Sequence, residues 1–252
     1  MHYRRNYLSK VICRIDFGEI PALKGQDKPE FSGRLQDIFP VAIGRPTSTL
    51  SLTVGPGGSG VQQELISTIW EHRKQPDGTK VLHLGPQFLA LEYGQNDYDY
   101  FPPFRAEMER AYREFQNLYH VMYIARLGLR FVNEITMPQG NAMDWANLIK
   151  PDLITAVRAG LRADMDLVRS FHQLQLKREG ITLLMHYGLI NPDFPNPVVR
   201  RHFVIDIDAA RPDAIPAGEV IDQLVTLNEC CETQFESSIE DGLRAMMEII
   251  NE

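Results

Sequence analysis

The stretch Tyr123–Met137, YIARLGLRFVNEITM, decides the fold that this sequence predicts. Its apolar and charged residues alternate with the two-residue period of a β-strand. One side carries the apolar residues Leu127, Leu129, Phe131 and Ile135. The other side carries the charged residues Arg126, Arg130 and Glu134. A strand buried on both faces is apolar throughout. We therefore predict a central strand that covers a core with one face and shows charge on the other.

Further strands are predicted on both sides of this stretch, because apolar residues alternate again and turn residues separate the runs. They are Val11–Phe17, Ser48–Val54, Ile66–Lys74, Lys80–Leu84, Phe88–Tyr93, Leu167–Lys177, Ile181–Ile190 and Arg201–Asp208. The turns PDGT at 76–79 and REG at 178–180 predict hairpins. GPGGSG at 55–60 has the composition of a flexible loop and lacks the Gly-Lys-Ser/Thr ending of a phosphate-binding loop.

Two long amphipathic helices are predicted from apolar residues at three- and four-residue spacing. The first opens at Pro102 and Pro103 and runs to Met122, immediately before the central strand. The second begins near Pro216 and runs to Met246, with Gly242 as a candidate kink. Shorter helices are expected within 21–40 and within 145–157.

These elements predict an α+β fold on a largely antiparallel sheet, in a single compact unit over 1–252. Residues 1–122 and 123–252 each follow the order strand, helix, meander, long helix, which suggests two tandem halves. The alternative is one mixed sheet with helices on one face.

Composition limits the function classes. The chain has a net charge of −7 and a pI near 5.5, which disfavours a large nucleic-acid interface. No apolar run approaches the roughly 18 residues of a membrane span, and the polar start MHYRRNYLSK lacks the apolar core of a signal peptide. The three cysteines are an odd set with an adjacent pair, which is typical of a reducing compartment. We therefore expect a cytoplasmic protein without a membrane partner.

Several segments, in this order, resemble an uncharacterised, sporadically distributed bacterial protein family of about this length. They are VICRIDFGEI at 11–20, WEHRKQPDGTKVLHLGPQFLALEY at 70–93, YFPPFRAEMERAY at 100–112, RLGLRFVNEI at 126–135 and LNECCETQFESSIEDGLR at 227–244. The resemblance implies a bacterial cytoplasmic protein with an accessory role, in a mobile or defence-related locus. It carries over no activity and no catalytic residue. The segments 55–60 and 142–164 depart from it.

The strongest site candidate is the charged face of the central strand. His202, Asp206 and Asp208 share one parity of their strand, and that strand could lie beside the central one. The six candidate residues are then Arg126, Arg130, Glu134, His202, Asp206 and Asp208. Such a cluster suits an anionic ligand, acid/base chemistry or a metal ion. The alternative is a set of cross-strand salt bridges.

Other chemical signatures are missing from the sequence, so no cofactor and no metal is predicted. The histidines stand singly; His172 and His186 could meet across a hairpin as a polar pair. Cys13, Cys230 and Cys231 are interpreted as packing residues.

Two hypotheses remain. The first is a non-enzymatic protein-binding or regulatory component, which binds another protein or a second copy through exposed aromatic residues at Tyr98, Tyr100 and Phe101. The second is a nucleotide-handling or nuclease-like enzyme that uses the polar face, with arginines on phosphate and carboxylates as base or ion ligands.

Overall fold

The protein, in a computed structural model, is built on one large antiparallel sheet with helices on one of its faces. The structure describes residues 2–25, 27–55, 58–158 and 164–250. The strands are β1 Leu8–Phe17, β2 Val41–Gly55, β3 Gly58–Arg73, β4 Val81–Gly85, β5 Phe88–Gly94, β6 Tyr123–Met137, β7 Ser170–Arg178, β8 Ile181–Leu189, β9 Arg201–Arg211 and β10 Ile215–Pro216. The helices are α1 Glu30–Arg34, α2 Phe101–Tyr119, α3 Pro151–Arg158, α4 Val220–Ser238 and α5 Asp241–Met247.

The strands follow the order β2-β3-β4-β5-β1-β6-β9-β8-β7, and the short β10 pairs with β6. Every described strand pair is antiparallel, so the sheet is not mixed. The predicted α+β class with an antiparallel sheet is confirmed. The predicted central strand is confirmed as well, since β6 lies between β1 and β9 and has the predicted bounds Tyr123–Met137.

The core lies between the sheet and its long helices. Leu127 and Leu129 are fully buried on the apolar side of β6, and Phe131 is 9% exposed. The thiol of Cys231 on α4 approaches the carbonyl of Leu129 at 3.7 Å. On the other half of the sheet, α2 places Phe115 against Phe17 of β1 with ring centroids 4.6 Å apart. Both helices therefore pack on the face that carries the apolar parity.

Two loop and strand predictions need correction at the β2–β3 hairpin. The strand expected at Ser48–Val54 is only part of β2, which begins at Val41. The glycine-rich segment is not a loop in its described part, because Gly55 ends β2 and Gly58 begins β3 as its register partner. Backbone pairing thus continues into a segment whose composition suggested a break. Residues 56 and 57 lie outside the described part of the chain.

The helix predicted within 145–157 begins only at Pro151. Trp145 lies in a turn before it, 1% exposed, and its indole N–H donates to the carbonyl of Ala142 at 2.8 Å. Its apolar character reflects burial in the core, which a helix and a turn can both provide.

The predicted terminal helix is divided before Gly242. α4 ends at Ser238, and Ile239 then forms an isolated bridge with Ile149 before α5 begins. A Cβ atom at Gly242 would overlap the carbonyl oxygen of Asn147. The glycine therefore permits a close approach between two segments and is not the point at which a continuous helix bends.

Candidate functional site

The six predicted site residues all lie on the face of the sheet opposite α4, where β6 and β9 are neighbours. The register places Arg130 beside Asp208, and positions two residues apart along each strand share this face. The side chains of Arg130 and Glu134 are 45% and 41% exposed. The strand-level prediction that these residues share a polar face therefore agrees with the structure.

Arg130 and Asp206 form the tightest of the pairs on this face. Arg130 Nε and Nη2 donate to the two carboxylate oxygens of Asp206 at 2.8 and 2.6 Å. This hydrogen bonding raises the pKa of Arg130 further above its ordinary value. His186 on β8 is the next neighbour, with Nδ1 3.7 Å from the same carboxylate. Asp206 is 6% exposed, so this pair is anchored in the sheet.

Arg126 lies between two carboxylates. Its Nη1 is 3.6 Å from Asp16 on β1, and its Nη2 is 3.5 Å from Asp208 on β9. Burial raises the pKa of Asp208, and the positive charges of Arg126 and Arg130 oppose that rise. The guanidinium of Arg126 on β6 thus links to both neighbouring strands, β1 and β9.

Glu134 and His202 form a third pair, 3.5 Å apart between Oε2 and Nε2. These four contacts succeed one another along β6, with partners on β1 and β9, instead of converging on one point. Arg126 and Glu134 are eight residues apart, which corresponds to about 26 Å along a strand, so their side chains cannot meet. The cluster is a ladder of cross-strand contacts between basic and acidic side chains, which corresponds to the alternative of cross-strand salt bridges that the sequence left open.

Part of the ladder borders an open groove of about 500 Å³. Arg126, Arg130 and Asp208 line it together with residues that the sequence patterns did not single out. Those include Arg14, Arg45, Glu71, His83 and Glu92. For Arg14 a signal was present in the alternation of β1, where Arg14 and Asp16 share a parity. It could not be used without the register between β1 and β6.

The predicted meeting of His172 and His186 is wrong. The hairpin pairs His172 with Tyr187 and His186 with Gln173, so the two histidines lie on opposite faces. His186 Nε2 is 3.0 Å from the side-chain oxygen of Gln173 instead. A shift of one residue in the register reverses the face of a side chain. Among the described residues, no group of three or more His, Cys, Asp or Glu side chains could hold a metal ion.

The aromatic residues proposed as an exposed interface are not exposed. Tyr98 and Phe101 pack against the core, and the ring of Tyr98 meets that of Phe131 edge-on at 5.7 Å. Tyr100 is half-buried and stacks on His2 with ring centroids 4.3 Å apart. The segment before α2 folds inward because its aromatic side chains complete the core under the N-terminal segment.

The cysteines are positioned as packing residues. Cys13 and Cys231 are buried, and burial raises the pKa of both thiols well above the ordinary value. A thiol in such surroundings stays protonated and is a poor nucleophile.

A second surface feature lies at the edge strand β7, whose one described strand neighbour is β8. Its exposed large apolar side chains are Phe171 at 50%, Leu174 at 39% and Leu176 at 47%. Leu176 also lines a groove of about 410 Å³ beside α4. The alternation of Leu174 and Leu176 was visible in the sequence. That alternation did not indicate that β7 is an edge strand of the sheet.

No family model, curated protein or solved structure matches this chain. Within the described helices, none has the length and hydrophobicity required to cross a membrane.

Proposed function

We propose that the protein is a non-enzymatic binding component that contacts another polypeptide through strand β7 and the groove beside α4. The supporting observation is the pair of exposed leucines, Leu174 and Leu176, on the groove side of this edge strand. The family resemblance in the sequence adds the setting, an accessory locus of a bacterium, with a mobile or defence-related role. The polypeptide bound at this surface could be a second copy of this chain or a different protein. Light scattering distinguishes the two, because only the first forms a dimer of the purified chain.

Leu174 and Leu176 of β7 continue the apolar layer of the helix-bearing face to the edge of the sheet, whereas Phe171 lies on the other face against His186. Leu174 and Leu176 are the register partners of Met185 and Leu183 on β8, which are buried. The adjoining groove is lined by Ile181 and Cys230 as well as by polar residues of α4. Contiguous apolar surface of this kind favours a protein contact.

The backbone of an edge strand offers hydrogen-bonding groups to an added strand. Strand addition supplies main-chain bonds, and alternate side chains then enter pockets on one face. On β7, Leu174 and Leu176 occupy the parity of the groove, whereas Gln173 and Gln175 occupy the other. The partner is therefore expected to be an extended segment with apolar residues at every second position.

The test compares the double variant Leu174→Glu/Leu176→Glu with the matched double variant Gln173→Glu/Gln175→Glu. Both add the same charge to the same exposed strand, on opposite faces. Affinity capture from the native bacterium with quantitative mass spectrometry is carried out for both and for the wild type. Light scattering on the purified proteins measures self-association.

We expect a stoichiometric partner, or a homodimer, with the wild type and the glutamine-site variant, and its loss with the leucine-site variant. Charge in the centre of an apolar contact weakens it strongly, whereas rim charge changes little. A wild-type monomer without a stoichiometric partner contradicts the proposal. If both double variants capture the same amount of the partner, the partner binds at a surface other than β7.

The second candidate function is nucleotide handling at the open groove of the polar face. The observation that favours it is the gathering of Arg14, Arg45, Arg126 and Arg130 around one groove. The carboxylates Glu71, Glu92 and Asp208 line the same groove, so four positive charges face three negative ones. Because phosphate recognition needs cations that are not already neutralised, this balance makes the candidate weaker.

Calorimetric titration with ATP and Mg²⁺ separates the two functions. Binding at the groove predicts a heat signal that Arg126→Met abolishes. Arg178→Met is the control, since Arg178 is 84% exposed on β7 and away from the groove. Absence of binding to the wild type removes this candidate.

We also infer that the chain contains two tandem halves, 1–122 and 123–252. In each half the first strand pairs with the last long strand before the long helix: β1 with β5, and β6 with β9. The first strands β1 and β6 pair antiparallel at the centre of the sheet. The corresponding long helices in this proposal are α2 and α4, each of 19 residues, and the short α5 follows α4. Separately expressed halves that reassociate through β1 and β6 would support this organisation.

A further inference from the structure

A cavity of about 80 Å³ lies between α4, the N-terminal segment and the apolar face of the sheet. It is on the other side of α4 from the groove beside β7, and it shares no lining residue with that groove. Its apolar walls include the rings of Tyr98, Phe131 and Phe235. Its polar lining includes Asn133 and Asn228. A ligand in this cavity would bind independently of the polypeptide partner proposed for β7.

Asn228 is the unusual residue in this lining. It is 6% exposed, and its Oδ1 atom is buried without a hydrogen-bond partner among the described residues. A buried polar atom without a partner destabilises a fold by about 1–3 kcal/mol. If the amide oxygen and nitrogen were exchanged, an unpartnered donor would lie there instead. Asn133, 5% exposed, differs because its Nδ2 donates to the carbonyl of Ile205 at 3.2 Å.

The charged residues that line the cavity are all acidic. Carboxylates of Asp99, Glu232 and Glu236 contribute to the lining, which contains no lysine, arginine or histidine among the described residues. These carboxylates are in part engaged by neighbours: Glu236 accepts hydrogen bonds from Tyr3 and Arg244, and Asp99 Oδ1 lies 3.3 Å from His2 Nε2. The lining is therefore unfavourable for an anion and favourable for a group that donates N–H bonds.

The aromatic residues of the lining also favour a cationic group. The face of an aromatic ring attracts a cation, most strongly where water is excluded. Tyr98 and Phe131 meet edge-on at 5.7 Å at this site. Burial and the charge of Glu232 raise the pKa of the Tyr98 hydroxyl, which stays protonated. Tyr98 thus contributes a ring and a neutral hydroxyl to the cavity.

We propose that this cavity binds the cationic end of a small amine or guanidine compound, with Asn228 Oδ1 accepting one of its N–H bonds. The size agrees, since 80 Å³ corresponds to roughly two or three water volumes of about 30 Å³. That space holds an ammonium or guanidinium group with a short alkyl stem. The same group occurs in free alkylamines and at the ends of lysine and arginine side chains.

The probes are butylammonium, butylguanidinium and, as an anion of similar shape, butyrate. Binding is measured by calorimetry and by NMR contacts between probe methylene protons and the ring protons of Tyr98, Phe131 or Phe235. Short acetylated peptides with one central lysine or arginine distinguish a partner side chain from a free amine. A peptide that binds more tightly than the free probe assigns the site to a partner.

Asn228→Leu removes the unpartnered amide and keeps a similar volume. Gln223→Leu is the matched control, because Gln223 Oε1 on the same helix is also buried without a partner but does not line the cavity. We expect binding of the cations to weaken about tenfold or more in Asn228→Leu, since a hydrogen bond to a charged group is lost. Gln223→Leu should bind like the wild type, and butyrate should bind to none of them.

The proposal is overturned if the wild type binds neither cation, if butyrate binds equally well, or if Asn228→Leu binds like the wild type. The NMR contacts on the wild type keep the test decisive should Asn228→Leu fail to fold. Contacts confined to other surfaces would show that the cavity is structural.

Discussion

Arg130 on β6 and Asp206 on β9 form a two-bond ion pair although they are not register partners. The register sets Arg130 opposite Asp208 and Asp206 opposite Val132, so the pair is diagonal. The side chain of Asp206 is 9% exposed and that of Arg130 is 45% exposed. The negative charge of the buried Asp206 carboxylate is therefore compensated mainly by Arg130, whereas Arg130 is also solvated by water.

Replacing Arg130 by methionine is expected to lower the free energy of unfolding by about 2 kcal/mol, because it leaves a buried carboxylate without its principal partner. Urea unfolding monitored by circular dichroism measures the change. Arg178→Met, at a residue whose side chain is 84% exposed, should stay within about 0.5 kcal/mol of the wild type. Binding of the polypeptide partner to the Arg130→Met variant should be unaffected, because Arg130 lies on the opposite face of the sheet from the groove beside α4. Unchanged stability combined with loss of binding would make Arg130 a ligand residue.

Phe131→Asp is expected to abolish soluble expression. Phe131 is 9% exposed on the helix-bearing face of β6, and an unpaired carboxylate there is strongly unfavourable. Thr136→Asp on the same strand is the control, since Thr136 is exposed on the opposite face beside His202. Soluble yield and thermal melting are compared. A Phe131→Asp protein that melts like the wild type would contradict the assigned facing of β6.

His72 is expected to make stability depend on pH. It is fully buried, and burial lowers its pKa from 6.5 to about 4. Its ring contacts Ser32 Oγ at 2.8 Å and the carbonyl of Leu82 at 3.1 Å, so the neutral form is bonded on both nitrogens. The unfolded chain takes up this proton near pH 6.5 and the folded chain only near pH 4. The His72 contribution to stability is therefore present above pH 6.5 and is lost as pH falls towards 4.

The loss should reach about 3 kcal/mol, because one pKa unit corresponds to about 1.4 kcal/mol. The measurement is urea unfolding at several pH values between 4 and 7.5, for the wild type and for His72→Asn. Carboxylates titrate in both proteins, so the difference between them isolates His72. The stability gap should narrow as the pH falls, and a gap that is constant with pH would contradict the prediction.

Gly188→Ala is expected to destabilise the protein by about 2 kcal/mol or more. Gly188 on β8 has a φ of +149°, and a Cβ atom there would overlap the carbonyl oxygen of Ser170 on β7. Gly33→Ala on α1 is the control, since no atom lies within 4 Å of its Cβ position. That control should be neutral or stabilising by up to about 1 kcal/mol. Thermal melting of both variants tests the prediction, and equal melting temperatures would contradict it.

The alternation of apolar and charged residues was enough to predict β6, its central place and its two faces. The period of hydrophobic residues depends only on neighbouring positions within one element, so it can be recognised without knowing the tertiary structure. Element ends were predicted less well. β2 and β3 extend into the glycine-rich segment as far as Gly55 and Gly58, because pairing with a neighbour can hold backbone that has low intrinsic strand propensity.

The site shows a similar division. Arg126, Arg130, Glu134, His202, Asp206 and Asp208 share a face, as their parities predicted. Their partners could not be derived, because the diagonal pairing of Arg130 with Asp206 and the bridge from Arg126 to Asp16 depend on register and side-chain reach. The prediction that Tyr98 and Phe101 are exposed was wrong, because composition does not show which aromatic side chains pack against the core.

The sequence by itself determined the antiparallel α+β class and the charged face of β6, because these follow from residue spacing within single elements. Only the tertiary structure decided the strand order, the exposed edge at β7 and the cavity at Asn228. Each of these joins residues far apart in the chain. Their contacts depend on strand register and helix placement, which are set by packing of the whole core.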